Sequence, residues 1–188
     1  MHHEARMRIF LTGATGFIGR HLCEHLVQQG HTVVALVRNP QKIALLPAKN
    51  VRILPGNLAS FKKLDFRIPT CDAVIHLAGV VTAKRPVQYF RTNFDSVVLL
   101  FHCLERQSWQ PKRFVFLSSI AAAGPSSESH ALSESDDAHP VDDYGRAKRM
   151  AEDFLLEQNK MPITVLRPSI VIGPYDTNVL NLYKLAKH

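Results

Sequence analysis

Thr12-Gly13-Ala14-Thr15-Gly16-Phe17-Ile18-Gly19 stands between two hydrophobic patterns of different period. Before it, Met7-Arg8-Ile9-Phe10-Leu11 is an apolar run of strand length. After it, Phe17, Ile18, Leu22, Leu26 and Val27 recur with helical spacing. Three glycines at a strand-to-helix handover read as a phosphate-binding turn. Gly13 permits a sharp turn, and Gly16 presents no Cβ to hold a diphosphate off the backbone. Gly19 lets the helix lie close on the sheet. The helix start adds free N–H groups and the positive end of its dipole. A glycine-rich turn with no ligand is the bland alternative, and the required order of strand, turn and helix argues against it.

The chain downstream keeps alternating strand and helix patterns. Gly30 is a helix stop, and His31 to Val37 is almost continuously apolar, as a parallel strand covered on both faces should be. Where an acid would take the adenosine ribose hydroxyls of NAD, this chain has Arg38, whose guanidinium fork suits a 2′-phosphate. Arg38 therefore favours NADP(H), with NAD the alternative if Arg38 only stacks on adenine. Val51–Leu54 is a third strand before the turn Pro55-Gly56-Asn57-Leu58, and Asp72–Leu77 is a fourth. Tyr89 to Glu105 predicts one long helix with Phe90, Phe94, Val97, Val98, Phe101 and Leu104 in a stripe. Phe114–Leu117 is a fifth strand. Ser118 and Ser119 follow at its carboxyl end, where ligands bind in open α/β sheets.

Pro125 to Asp143 shows no periodicity and reads as a long loop whose acids are solubilising charge. Tyr144 and Lys148 then open a helix, four apart and so on one face. Met161–Leu166 is a sixth strand, and Tyr175 to His188 reads as the start of a helix. Alternating strands and helices predict an α/β chain: a doubly wound, mostly parallel sheet of the Rossmann type, in three α/β/α layers. Periodicity does not give the strand order.

Taken together, T-G-A-T-G-F-I-G, His76-Leu77-Ala78-Gly79, the strand-end serines, Tyr144-x-x-x-Lys148 with Glu152, and Leu166-Arg167-Pro168…Gly173-Pro174 resemble the extended short-chain dehydrogenase/reductases, in particular the NAD(P)-dependent epimerase/dehydratase group. The resemblance runs from Met7 onward. It implies an NAD(P)-dependent oxidoreductase or epimerase that transfers hydride at a hydroxyl or ketone carbon of a nucleotide sugar or similar small molecule. Ser119, aligned through Gly124, would hold the substrate oxygen, and Tyr144 would be the general acid/base. Lys148 would favour the phenolate and bond the nicotinamide ribose. Ser118 is expected to bond neighbouring backbone. Asn93 would act from behind the site, fixing the active-site helix, with a plain solvated Asn as the alternative. Cofactor contacts would come from Gly13, Thr15, Gly16, Phe17, Ile18 and Gly19. Further along the chain they would come from Arg38, Asn57, Leu58, Leu77, Ala78, Gly79, Tyr144, Lys148, Pro168 and Ile170. Asn57 departs from the acid usual at its position, where the carboxylate contacts the adenine amino group; a turn Asn is the alternative. His76 is given no role.

Residues 1–174 would then be the cofactor domain and 175–188 the start of a substrate lobe that in relatives is much longer. A dinucleotide-binding sensor or scaffold without turnover is the competing reading. A third, metal chemistry through His21 and His25, is disfavoured because Glu24 does not directly follow the first histidine.

The net charge of +7 raises nucleic acid as a partner. Its distribution argues otherwise: six acids and no Lys or Arg lie between Pro125 and Asp143, and the bases elsewhere form no aromatic-interleaved stripe. The apolar runs are too short to span a bilayer, and the start Met1-His2-His3-Glu4 does not read as a secretory signal. Cys23, Cys71 and Cys103 read as reduced thiols of a cytoplasmic protein. A homodimer is left open.

Overall fold

The computed structural model describes residues 5–127 and 131–176. The predicted helix after Tyr175 and the acid Glu128 lie outside the described residues. Six strands form one all-parallel sheet: β1 (Arg8–Thr12), β2 (Thr32–Val37), β3 (Val51–Pro55), β4 (Ala73–His76), β5 (Arg113–Leu117) and β6 (Ile163–Leu166). Their order is β3-β2-β1-β4-β5-β6, so the winding direction reverses between β1 and β4. In a sheet of this kind the cleft opens at the carboxyl ends of the strands beside that reversal.

Period-two alternation divides each buried strand between two cores. On β2, Val34 and Leu36 join one core, while Val33, Ala35 and Val37 join the other. Helix α1 (Phe17–Gln28) covers the second through Cys23, Leu22, Leu26 and Val27. The first core is covered by α3 (Ser96–Glu105) and α4 (Asp143–Leu156), through residues such as Leu100, Phe101, Ala151 and Leu155. Helices therefore lie on both faces. Gly30 ends α1 as expected: its φ is +86°, and it donates to Val27 O at 3.0 Å.

Two expectations need correction. The single helix predicted from Tyr89 begins earlier, as α2 (Pro86–Phe90), because Pro86 is preorganised for a first helical turn. It reaches α3 only through a wide π turn at Arg91–Asp95. Hydrophobic spacing is blind to that one-residue widening. The acids of the 125–143 loop are not all mere solubilising charge, since Asp142 caps α4 by accepting from Gly145 N at 2.7 Å. All three cysteines are buried free thiols, and burial pushes Cys23 up to about 11 and Cys71 up to about 12.

Candidate active site

The turn after β1 is shaped by close backbone approaches. Gly13 has a φ of +75°, and a Cβ there would lie 2.8 Å from Ala78 N, at the end of β4. At Gly19 a Cβ would fall 2.0 Å from Gly13 O, so α1 packs on the turn itself more tightly than on the sheet. Gly16 differs: its added Cβ would meet only Gly13 O, at 3.2 Å, and the rest of that side is open. Gly16 N closes the turn on Gly13 O at 2.9 Å, and the first helical bond runs from Arg20 N to Gly16 O at 3.0 Å. Phe17, Ile18 and Gly19 thus begin the helix with N–H groups that have no acceptor within it, and no side chain caps them. Neither does any acid sit in that first turn. A bare, positively polarised helix start with room over Gly16 fits a diphosphate.

The turn is tied to β4 by a buried bond. His76 Nδ1 pairs with Thr12 Oγ1 at 2.8 Å, and Thr12 Oγ1 accepts from Ala78 N at 3.3 Å. His76 is stacked on Phe116, and burial holds it down at about 3, with the Lys148 charge adding to the shift. It is a packed, neutral histidine that fixes the meeting of β1 and β4.

A cleft of about 430 Å³ opens at the β1/β4 reversal. It brings together Phe17, Ile18, Leu77, Gly79, Ser119, Tyr144, Lys148, Pro168 and Ile170, nine of the positions singled out in the sequence. A hollow of about 600 Å³ lies at the opposite, amino ends of the strands, where Asp72 already pairs with Lys112 at 3.2 Å and accepts from Arg8 N at 2.9 Å.

Within the cleft, Ser119 caps a short turn by accepting from Ala121 N at 3.2 Å, which leaves its hydroxyl proton free to be donated. Tyr144 lines the same cleft. The helix bearing Tyr144 is seated against that same turn: a Cβ on Gly145 would lie 2.3 Å from Ala121 O. The Tyr144 ring meets Tyr89 edge-on at 6.1 Å. Burial raises the Tyr144 phenol above its ordinary value, the Ser119 hydroxyl opposes that, and the Asp142 charge adds to it. Lys148 lies one helical turn further along α4. Its ammonium is drawn away, donating to Leu117 O at 2.7 Å and lying 4.7 Å from the Phe116 ring centre. Burial brings Lys148 itself down to about 8, partly offset by Glu152.

Ser118 is not spent on neighbouring backbone. Its hydroxyl donates to the Glu152 carboxylate, and Arg167 grips the same group, Nη2 to Oε2 at 2.6 Å and Nε to Oε1 at 3.1 Å. Glu152 is fully buried, so this cluster bolts α4 to the ends of β5 and β6 and carries Tyr144 and Lys148 on the bolted face. Asn93 is buried as well, not solvated. Its amide accepts from Val80 N and donates to Val80 O, each at 2.9 Å. Gly79 is squeezed between Asn93 and Lys148: a Cβ would lie 2.7 Å from Asn93 Oδ1 and 3.4 Å from Lys148 Nζ. The π turn is what places Asn93 there.

The adenine-side positions lie apart from this cleft. Arg38 is exposed at the end of β2, and Leu58 packs into the first core. Asn57 spends its oxygen on Ala59 N at 2.8 Å, as a turn cap, with one lone pair left. Thr15 and Ala78 sit on the turn and the β4 end. His21 is used structurally, Nε2 to Pro174 O at 2.9 Å. The residues missed in the sequence were the aliphatic wall of the cleft, including Val81, Ile120 and Val171. Only their place just after strand ends could have flagged them.

Comparison with known proteins bears on the family and the fold. The family described as NAD dependent epimerase/dehydratase matches residues 9–185. A ceramide reductase from Caulobacter vibrioides is 30% identical over 99% of this chain and 53% of its own length. A UDP-glucose 4-epimerase from Caenorhabditis elegans is 30% identical over 82% of this chain and 50% of its own. The chain thus spans about half the length of these curated relatives. Among solved structures, UDP-glucuronic acid 4-epimerase from Bacillus cereus in complex with NAD superposes with a TM-score of 0.74 at 25% identity, covering 89% of this chain and 57% of that one. Among the described residues no helix is long and apolar enough to cross a membrane.

Proposed function

This chain belongs to the NAD dependent epimerase/dehydratase family, and from that premise we propose that it is an NAD(P)-dependent oxidoreductase or epimerase working through Ser119, Tyr144 and Lys148. The observation that carries the proposal is a single cleft, next to the bared helix start, that gathers Ser119, Tyr144 and the buried Lys148 ammonium.

Phe17, Ile18 and Gly19 would hold the diphosphate with their N–H groups. Arg38 would meet a 2′-phosphate and so favour NADP(H), although the related epimerase structure holds NAD. When bound, the nicotinamide supplies or accepts the hydride. The chain's own residues handle the oxygen and the proton. In the reducing direction Ser119 Oγ and the Tyr144 hydroxyl hold the carbonyl oxygen, and Tyr144 passes its proton to it. In the oxidising direction Tyr144 takes that proton back. A phenol raised by burial is protonated at neutral pH, ready to act as the acid. Lys148 commits one N–H to Leu117 O and keeps two donors for the bound ribose. The substrate is a small hydroxyl or ketone compound, nucleotide sugars among the candidates.

Tyr144→Phe tests the assignment. Turnover should fall at least ~10³-fold with NADPH affinity nearly unchanged, since the phenol ring stays and only the proton donor goes. Undiminished turnover would remove Tyr144 from the reaction. Nucleotide binding without turnover of any hydroxyl or ketone substrate by the parent chain would instead favour the sensor reading.

A further inference from the structure

We infer that the substrate of this cleft is an apolar ketone or secondary alcohol, with a long-chain or fused-ring skeleton, and not a nucleotide sugar. The inference rests on the oxidoreductase reading above and deepens it.

The wall around the reacting hydroxyls is aliphatic and displayed. Val81 is 61% exposed and Ile120 45% exposed, yet both line the cleft that holds Ser119 and Tyr144. Neither is a loose loop side chain. Asn93 pins Val80 through both its N–H and its carbonyl, and Tyr89 Oη accepts from Ala83 N at 3.1 Å. Val81 lies between those two anchors, so its side chain is held out into the cleft and cannot fold into the core. Ile120 is fixed in the same way. It follows Ser119 directly, and its N–H donates to Pro168 O at 3.0 Å. Two anchored aliphatics in the same cleft as the hydroxyl that would hold the substrate oxygen form an apolar site with a few polar groups. Exposed apolar surface of this kind marks a binding face.

Charge points the same way. With the bared helix start taken by the cofactor's diphosphate, a sugar diphosphate would need cations, best a guanidinium fork. Among the described residues that line the cleft there is no arginine. The one ammonium, Lys148, is buried, bound to Leu117 O and otherwise given to the cofactor ribose. An apolar skeleton asks only for the carbonyl to meet Ser119 and Tyr144.

Calorimetric titration of this chain with 2-decalone, cyclohexanone and UDP-glucose, each with and without NADPH, tests the inference. The second ring of 2-decalone should improve affinity about tenfold over cyclohexanone by lying on Val81 and Ile120, and UDP-glucose should bind more weakly than either. Val81→Asp and Ile120→Asn should each loosen 2-decalone about tenfold while NADPH affinity stays at the parent value, which also shows that the variants fold. UDP-glucose binding more tightly than 2-decalone, or 2-decalone affinity unmoved in both variants, would overturn the assignment. The NADPH titration stands apart: its failure would sink the dinucleotide reading, while the order of the ketone and UDP-glucose affinities without nucleotide still decides the substrate class.

Discussion

The turn at Gly13–Gly19 and the α4 face bearing Tyr144, Lys148 and Glu152 border one cleft, yet they are held in place by different forces. The turn is made of backbone: glycines let Gly13 sit against Ala78 and Gly19 against Gly13, and the turn itself carries no ionisable side chain. The α4 face is made of buried polar groups, with Glu152 fully enclosed and shared by Ser118 and Arg167, and Lys148 enclosed above it. A backbone site fails when a single carbon is added. A buried-charge site fails when a single charge is removed.

Glu152→Gln should give the largest effect on folding. It leaves Arg167 facing a neutral amide in a buried setting, and breaking such a pair costs ~3 kcal/mol or more. Urea unfolding reads the loss, and a cost below ~1 kcal/mol would show that the cluster does not hold α4. Gly19→Ala should follow, at ~2–3 kcal/mol, because its Cβ would collide with backbone that cannot swing away. Any folded fraction should have lost nucleotide affinity, which Glu152→Gln should largely keep. If both variants bound nucleotide equally well, the division between the two regions would fail.

Acid should sharpen the same contrast. His76, whose ordinary value is 6.5, is held at about 3 in the fold. Its neutral form is the one the fold accommodates, so its contribution is complete above pH 6.5 and is lost as pH falls from 6.5 toward 3. The slope should approach ~1.4 kcal/mol per pH unit in that window. His76→Gln should flatten the thermal stability profile between pH 6.5 and 4, leaving the acid dependence of Asp72 and Glu105, whose carboxyls are held low by their partners. An unchanged profile would mean that His76 is not the group that limits acid stability.

The same contrast explains what the sequence made legible. Glycine spacing at a strand–helix junction constrains backbone directly, so the glycine turn, all six strands and the α/β class could be read from residues alone. The Tyr144–Lys148 spacing likewise put both side chains on one helical face. Four-residue spacing says nothing about partners from other strands, however. The capture of Ser118 by Glu152, the pull of Leu117 O on Lys148 and the raised Tyr144 phenol all depend on the β4-β5-β6 order. That order is set by long-range pairing, which periodicity does not encode. The π turn that aims Asn93 at Val80 adds a single residue to a helical pattern, too small a change for hydrophobic spacing to register. The anchored aliphatics were missed for a simpler reason. An exposed Val or Ile looks like any other until the bonds that hold it out are seen.

The central claim is that a glycine-bared helix start in this chain holds the diphosphate of a pyridine nucleotide. Titrating the folded chain with NADPH and NADH tests it most directly. One-to-one binding of both, about tenfold tighter for NADPH through Arg38, is the expected result. Folded protein that binds neither nucleotide would contradict the account at its root.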